Sequence, residues 1–232
     1  MKLITRHFGN VAVRVNSDDI TPPQGTVPIE LINFVAERYQ FTVRPIIHPQ
    51  VPPQLMNNLS FQNGVIKIGE ETLPILALVL VKDGDIASAI DTDLADQILD
   101  DVAQSLEERF KFRYSTTKQQ RFYQSTLTVE LDAAFENGVA ALNKIGEIFE
   151  KETGRPSSTF QIKRLAFGTG DVVATQVVTA PATLIEQIEK QDFLLERRIG
   201  VPYDQPRIFS SAPLKTADHI RALEALERAF SK

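Results

Sequence analysis

The strongest constraint on this chain is a hydrophobic run followed at once by a turn, a second apolar run and an amphipathic segment. Leu73 to Val81 is the most hydrophobic stretch, and its length and leucine-valine content suit a buried central strand. Asp83-Gly84 is a two-residue hairpin signal, and Ile86 to Ile90 reads as the return strand. Asp91-Thr92-Asp93 then opens a helix in which Leu94, Ile98, Leu99, Val102, Leu106 and Phe110 recur three and four residues apart. A chain with this sequence must bury a strand pair against one helix.

The remainder of the chain offers further strand and helix signals. Val11, Val13 and Val15 alternate as a strand, and Lys2 to His7 is its expected hairpin partner, turned at Gly9-Asn10. Pro28 suits the first turn of a helix whose apolar face is Leu31, Ile32, Phe34 and Val35. Phe41 to Ile47 looks extended, and Val65, Ile66 and Ile68 mark a further strand. Leu127, Val129 and Leu131 alternate with polar neighbours, as in a strand with one wet face. Phe135, Val139, Leu142, Ile145, Ile148 and Phe149 form a second amphipathic helix that stops at Gly154-Arg155-Pro156. Phe160, Ile162 and Leu165 predict a strand, Gly168 to Asp171 a turn, and Val172 to Val178 its return. Two helices are expected to close the chain, from about Pro181 to Arg198 and from Thr216 onward.

Strand pairs followed by single helices imply an α+β fold: an antiparallel or mixed sheet built from hairpins, covered by helices mainly on one face. The four prolines between Pro45 and Pro53 mark the best linker. Residues 1–50 could be a small N-terminal subdomain and 51–232 the main domain, with one continuous domain an equal alternative. No repeat of fixed period stands out.

Composition narrows the chemistry. The 232 residues are 43% apolar and 24% charged, enough for a substantial core. There is no cysteine, which excludes disulfides, thiolate metal sites and cysteine nucleophiles. His7, His48 and His219 are isolated, so no metal site and no cofactor is expected. The longest apolar run is about half a membrane helix, and the charged N-terminus is unlike a signal peptide. A cytoplasmic protein that does not enter a membrane is the expectation. The net charge of −5 disfavours a surface covered by nucleic acid but permits a local basic patch.

Four features could carry function. Arg109, Lys111 and Arg113 interleave with Phe110, Phe112 and Tyr114, and Lys118 and Arg121 follow beside Phe122 and Tyr123. Such a stretch can neutralise phosphates and stack bases, though a strand with buried rings and exposed cations has the same alternation. Asp96 and Asp100 share a helix face and could hold a hard cation for a metal-assisted hydrolase; a solvated surface is the plainer expectation. Arg197 and Arg198, expected at a helix end, could clamp an anion. Ser210, Ser211 and His219 are expected in a small-residue loop and a helix start capped by Thr216, without a nucleophile-elbow sequence.

No residue is assigned a catalytic role. The leading expectation is a non-enzymatic interaction or assembly protein with a protein partner or a second copy of itself. A nucleic-acid-associated protein and the metal-assisted hydrolase are the alternatives.

Overall fold

A computed structural model describes residues 1–15, 28–46, 58–81, 84–113, 119–132, 135, 151, 164–167, 185, 188, 191–197 and 207–230. Among these, eight strands form one antiparallel sheet and three helices are bounded at both ends. The strands are β1 (Lys2–Arg14), β2 (Asn58–Ile68), β3 (Glu71–Val81), β4 (Gly84–Ala89), β5 (Gln120–Glu130), β6 (Arg164–Phe167), β7 (Phe193–Arg197) and β8 (Arg207–Ala212). The helices are α1 (Pro28–Arg38), α2 (Thr92–Phe110) and α3 (Thr216–Phe230). The expected α+β architecture is therefore present. No described helix is long and apolar enough to cross a membrane.

The strand order is β2-β3-β4-β1-β5-β8-β7-β6, which reads as a palindrome. β1 and β5 pair at the centre, and each is followed outward by the last, middle and first strand of its own three-strand set. The first half runs β1-α1-β2-β3-β4-α2. The second runs β5, helical positions at Phe135 and Lys151, β6, further helical positions at Ile185 and Ile188, then β7, β8 and α3. The pairing registers make the halves comparable residue by residue. Gly9 of β1 pairs with Ala89 of β4, Ser125 of β5 pairs with Ala212 of β8, and Gly9 and Ser125 pair with each other. One row across the first half is Phe61, Leu78, Ala87 and Val11; its counterpart is Leu165, Leu195, Ser210 and Leu127. A pseudo-twofold axis thus passes between Gly9 and Ser125.

Each half owns a core on the helix side of the sheet. In the first, Ile32 and Val35 of α1 and Leu94, Ile98, Val102 and Leu106 of α2 bury against Val11, Phe61, Leu78 and Ala87. In the second, Leu223 of α3 closes over Leu127, Val129, Leu195 and Ile208. On the opposite face, Ile185 and Ile188 bury against Ala12 and Ile86 of the first half, so this face is partly covered too.

Helix α2 forms as its sequence dictates. The Asp91 carboxylate accepts from the Leu94 amide at 2.9 Å, and Lys111 ends the helix in the left-handed conformation with its amide on Glu107.

Several expectations are corrected. Gly9-Asn10 is not a hairpin turn; β1 runs straight through it. Glycine is required because the first turn of α2 rests on it: a Cβ there would lie 2.3 Å from the Asp91 carbonyl carbon and the Thr92 nitrogen. β3 is second from the edge rather than central, and Leu76 is 38% exposed. Its buried positions Ile75 and Leu78 are three apart, breaking strict alternation opposite Asn63, which has a positive φ. β4 is an interior strand, so Ile86 to Ile90 offers no free edge. Thr126 and Thr128 of β5 are buried, not wet. Phe193–Arg197, expected at a helix end, is a strand, and Ser210 and Ser211 lie in β8 rather than a loop. Asp83, the 1–50 boundary, the helix beyond Phe135, the Gly168 to Asp171 turn and the Val172 to Val178 return fall outside the described residues.

Candidate functional site

The starts of α2 and α3 meet over the pseudo-twofold axis. Thr92 and Thr216 are each the first residue of their helix, and both are buried. The Thr92 amide donates to the Thr216 hydroxyl at 3.1 Å, and the Thr216 amide donates to the Thr92 hydroxyl at 2.8 Å. Each threonine therefore satisfies a first-turn N–H of the other helix, groups with no partner inside their own helix. Thr216 does not cap its own helix as expected.

Beside this seam, the acidic pair is engaged across the halves. Asp96 and Asp100 lie one turn apart on α2 and face the start of β5. Arg121 of β5 reaches Asp96 at 2.7 Å and bonds Asp100 with its other terminal nitrogen. Lys215 approaches Asp96 at 3.5 Å and sits 4.8 Å from the centre of the Tyr123 ring. Burial opposes the charge of Arg121, but its hydrogen bonds to the two carboxylates outweigh this and hold the guanidinium above its usual range. The carboxylates proposed for a cation thus hold side-chain cations, and one residue of the basic-aromatic stretch is spent on them.

The rest of that stretch divides between two elements. Arg109 and Phe110 are the last turn of α2, and Lys111 to Arg113 follow it, so the expected strand alternation is absent. Arg109, Lys111 and Arg113 are exposed, while Phe110 and Phe112 are half-buried and pack on the first core. Phe110 meets Phe34 edge to face at 5.4 Å. Tyr114 and Lys118 fall outside the described residues. Arg197 lies in β7, opposite Ile208, and Arg198 falls outside the described residues, so the expected helix-end geometry for an anion clamp does not arise.

His219 has the most developed environment. Its ring is fully buried beneath α3, with Nδ1 2.8 Å from the Ser125 hydroxyl and Nε2 2.8 Å from the Ser210 hydroxyl. Ser210 donates its single proton to the Leu194 carbonyl at 2.9 Å. It must therefore accept from Nε2–H, which leaves Nδ1 to accept from Ser125. The chain Ser125, His219, Ser210, Leu194 is satisfied with a neutral ring. Burial lowers the imidazole pKa to about 4, favouring that neutral form. Phe193 packs edge-on against the ring at 5.4 Å. Ser125 and Ser210 are themselves fully buried, so this arrangement orients α3 and gives neither hydroxyl access to a substrate.

Sequence reasoning paired His219 with Ser210 but missed Ser125, which lies 94 residues away. It also missed the clip between α1 and α2. There Arg38 makes bonds of 3.2 and 2.9 Å to the Asp101 carboxylate, which also accepts from the Tyr39 hydroxyl at 2.6 Å. Burial, with Asp101 beside it, pushes the Tyr39 phenol up. His7 bonds Thr128 at 2.7 Å, and His48 is outside the described residues. Among the described residues no three histidine, cysteine, aspartate or glutamate side chains gather as metal ligands. The chain matches no known family model, no curated protein and no solved structure.

Proposed function

We propose that this chain acts by binding, as a non-enzymatic interaction or assembly protein whose partner is another protein or a second copy of itself. One observation carries this: the described side chains best equipped for chemistry are committed to holding the fold. Asp96 and Asp100 hold Arg121, Asp101 holds Arg38, and His219 is sealed between two serines. The absence of cysteine suits a cytoplasmic setting. Val43, bridged to Gln62 of the outer strand β2 and 46% exposed, and Ile46, 81% exposed, are the first positions to test as contacts.

The experiment is crosslinking in cells, identification of the linked protein, and reconstitution from purified components. A complex of defined stoichiometry by light scattering, weakened by Ile46→Asp in a folded variant, is expected. Turnover of a small-molecule substrate that disappears in a folded His219→Ala variant would overturn the proposal.

A second reading has its own support in the exposed cations Arg109, Lys111 and Arg113. Because their neighbouring rings are packed inward, they would touch phosphates without base stacking. Binding to single-stranded RNA that vanishes between low and moderate salt fits that reading.

A further inference from the structure

We infer that the chain is a covalently tethered dimer: two units of matching four-strand order, the second with helical residues between β6 and β7, joined through an internal interface that survives without the covalent link. The partner that fits the inner edge of the first unit is the second unit, and the seam is built as an interface between subunits would be.

Four features place the interface. Its spine is the β1–β5 ladder, from Lys2 opposite Glu130 to Arg14 opposite Gln120. Gly9 and Ser125 mark its axis, and the reciprocal Thr92–Thr216 bonds lie directly above them. An isologous contact has this character, with the same position on both units meeting itself. Around the axis, polar groups are matched across the seam: Arg121 with Asp96 and Asp100, His7 with Thr128, and Asn10 with Gln124 at 2.6 Å. On the opposite face, Ile185 and Ile188 of the second unit bury against Ala12 and Ile86 of the first, an apolar contribution with no counterpart in the described first unit. Each unit meanwhile encloses its own apolar cluster beneath its own helices. The joint between units is the stretch from Lys111 to Gln119, which follows the left-handed end of α2.

The inference is independent of what the protein binds. Its test uses the full chain with a protease recognition sequence inserted between Arg113 and Gln119. After folding and cleavage, light scattering should find one particle of undiminished mass, and a denaturing gel should show two fragments. The cleaved complex should separate only on dilution. Thr92→Val or Thr216→Val should each raise its dissociation constant roughly tenfold, and the double variant by less than the product. Fragments that part at micromolar concentration, or loss of circular dichroism on cleavage, would overturn the inference. Should the insertion itself prevent folding, hydrogen exchange on the unmodified chain decides. Two sets of protected amides with different opening free energies, divided between the halves, are expected; one uniform protection level across both halves refutes separable units.

Discussion

The two halves place the same backbone row under very different helices. In the first, Gly9 lies against the start of α2, Ala87 of β4 and Ala95 of α2 are fully buried, and the helix lies directly on the sheet. Their counterparts in the second are Ser125, Ser210 and His219, and an imidazole with two hydroxyls stands between α3 and the sheet. The first half gains close backbone approach and an apolar seal. The second gains directional bonds, which fix the helix orientation but require every donor and acceptor to be matched. One topology thus accommodates two solutions to the same packing problem, one governed by size and the other by hydrogen bonding.

The contrast is broken most severely at Gly9. Gly9→Val is expected to abolish folding, at a cost above about 4 kcal/mol, because its side chain would meet the backbone of α2. Ser125→Ala at the equivalent position should cost only about 1–3 kcal/mol, the penalty for an unpaired buried acceptor. Comparable stabilities of the two variants in urea titration would refute the distinction.

Next in size is the apolar seal. Leu106 on α2 is 1% exposed, and Leu106→Ala is expected to cost about 2–5 kcal/mol. An unchanged thermal melt would contradict the assignment of that helix face. Leu142, its expected counterpart, lies outside the described residues.

Acid should then distinguish the halves. The folded His219 titrates at about 4 and a free imidazole near 6.5, so the unfolded chain binds more protons between those values. Its contribution to stability is full above the unfolded value and falls as pH drops through this window. Roughly 2 kcal/mol should be lost from this group between pH 7 and 5. A folded His219→Gln variant should lack that component, measured as the shift of its urea midpoint relative to the parent. Equal pH dependence in parent and variant would remove histidine as the cause.

The smallest effect belongs to Arg121. Its side chain is 26% exposed and that of Asp100 63%. Arg121→Ala should cost about 0.5–1 kcal/mol and less at high salt, as for other solvent-accessible ion pairs. A larger, salt-independent loss would mean that the pair is sealed from water.

Local structure was legible wherever one segment carried its own signal. The N-cap and apolar stripe of α2, the start of α1 at Pro28 and the start of α3 at Thr216 follow directly from the sequence. The duplication was not legible. Equivalent residues are 116 apart at Gly9 and Ser125 but 124 apart at Thr92 and Thr216, so no fixed period exists. Their chemistry differs as well, with glycine facing serine and alanine replaced by histidine. Gly9-Asn10 suggested a turn because a glycine needed for close helix approach resembles one needed for chain reversal. Lys111 and Arg121 belonged to one basic stretch in sequence, yet one ends a helix and the other enters a strand. The Asp96–Arg121 pair depends on how the halves meet, and the Ser125–His219 pair on how the second half closes on itself across 94 residues; no local pattern encodes either.

The central place of β1 has a consequence for the nascent chain. When α2 emerges from the ribosome, β1 can pair with β4, but its other edge faces water until β5 follows some twenty residues later. At about 5–20 residues per second, that edge stays open for roughly one to four seconds. During this time it is a template for any extended strand, including β1 of a neighbouring chain on the same message. Slowing translation across the stretch from Lys111 to Gln119 would lengthen the hazard, and the yield of monomeric protein would register it.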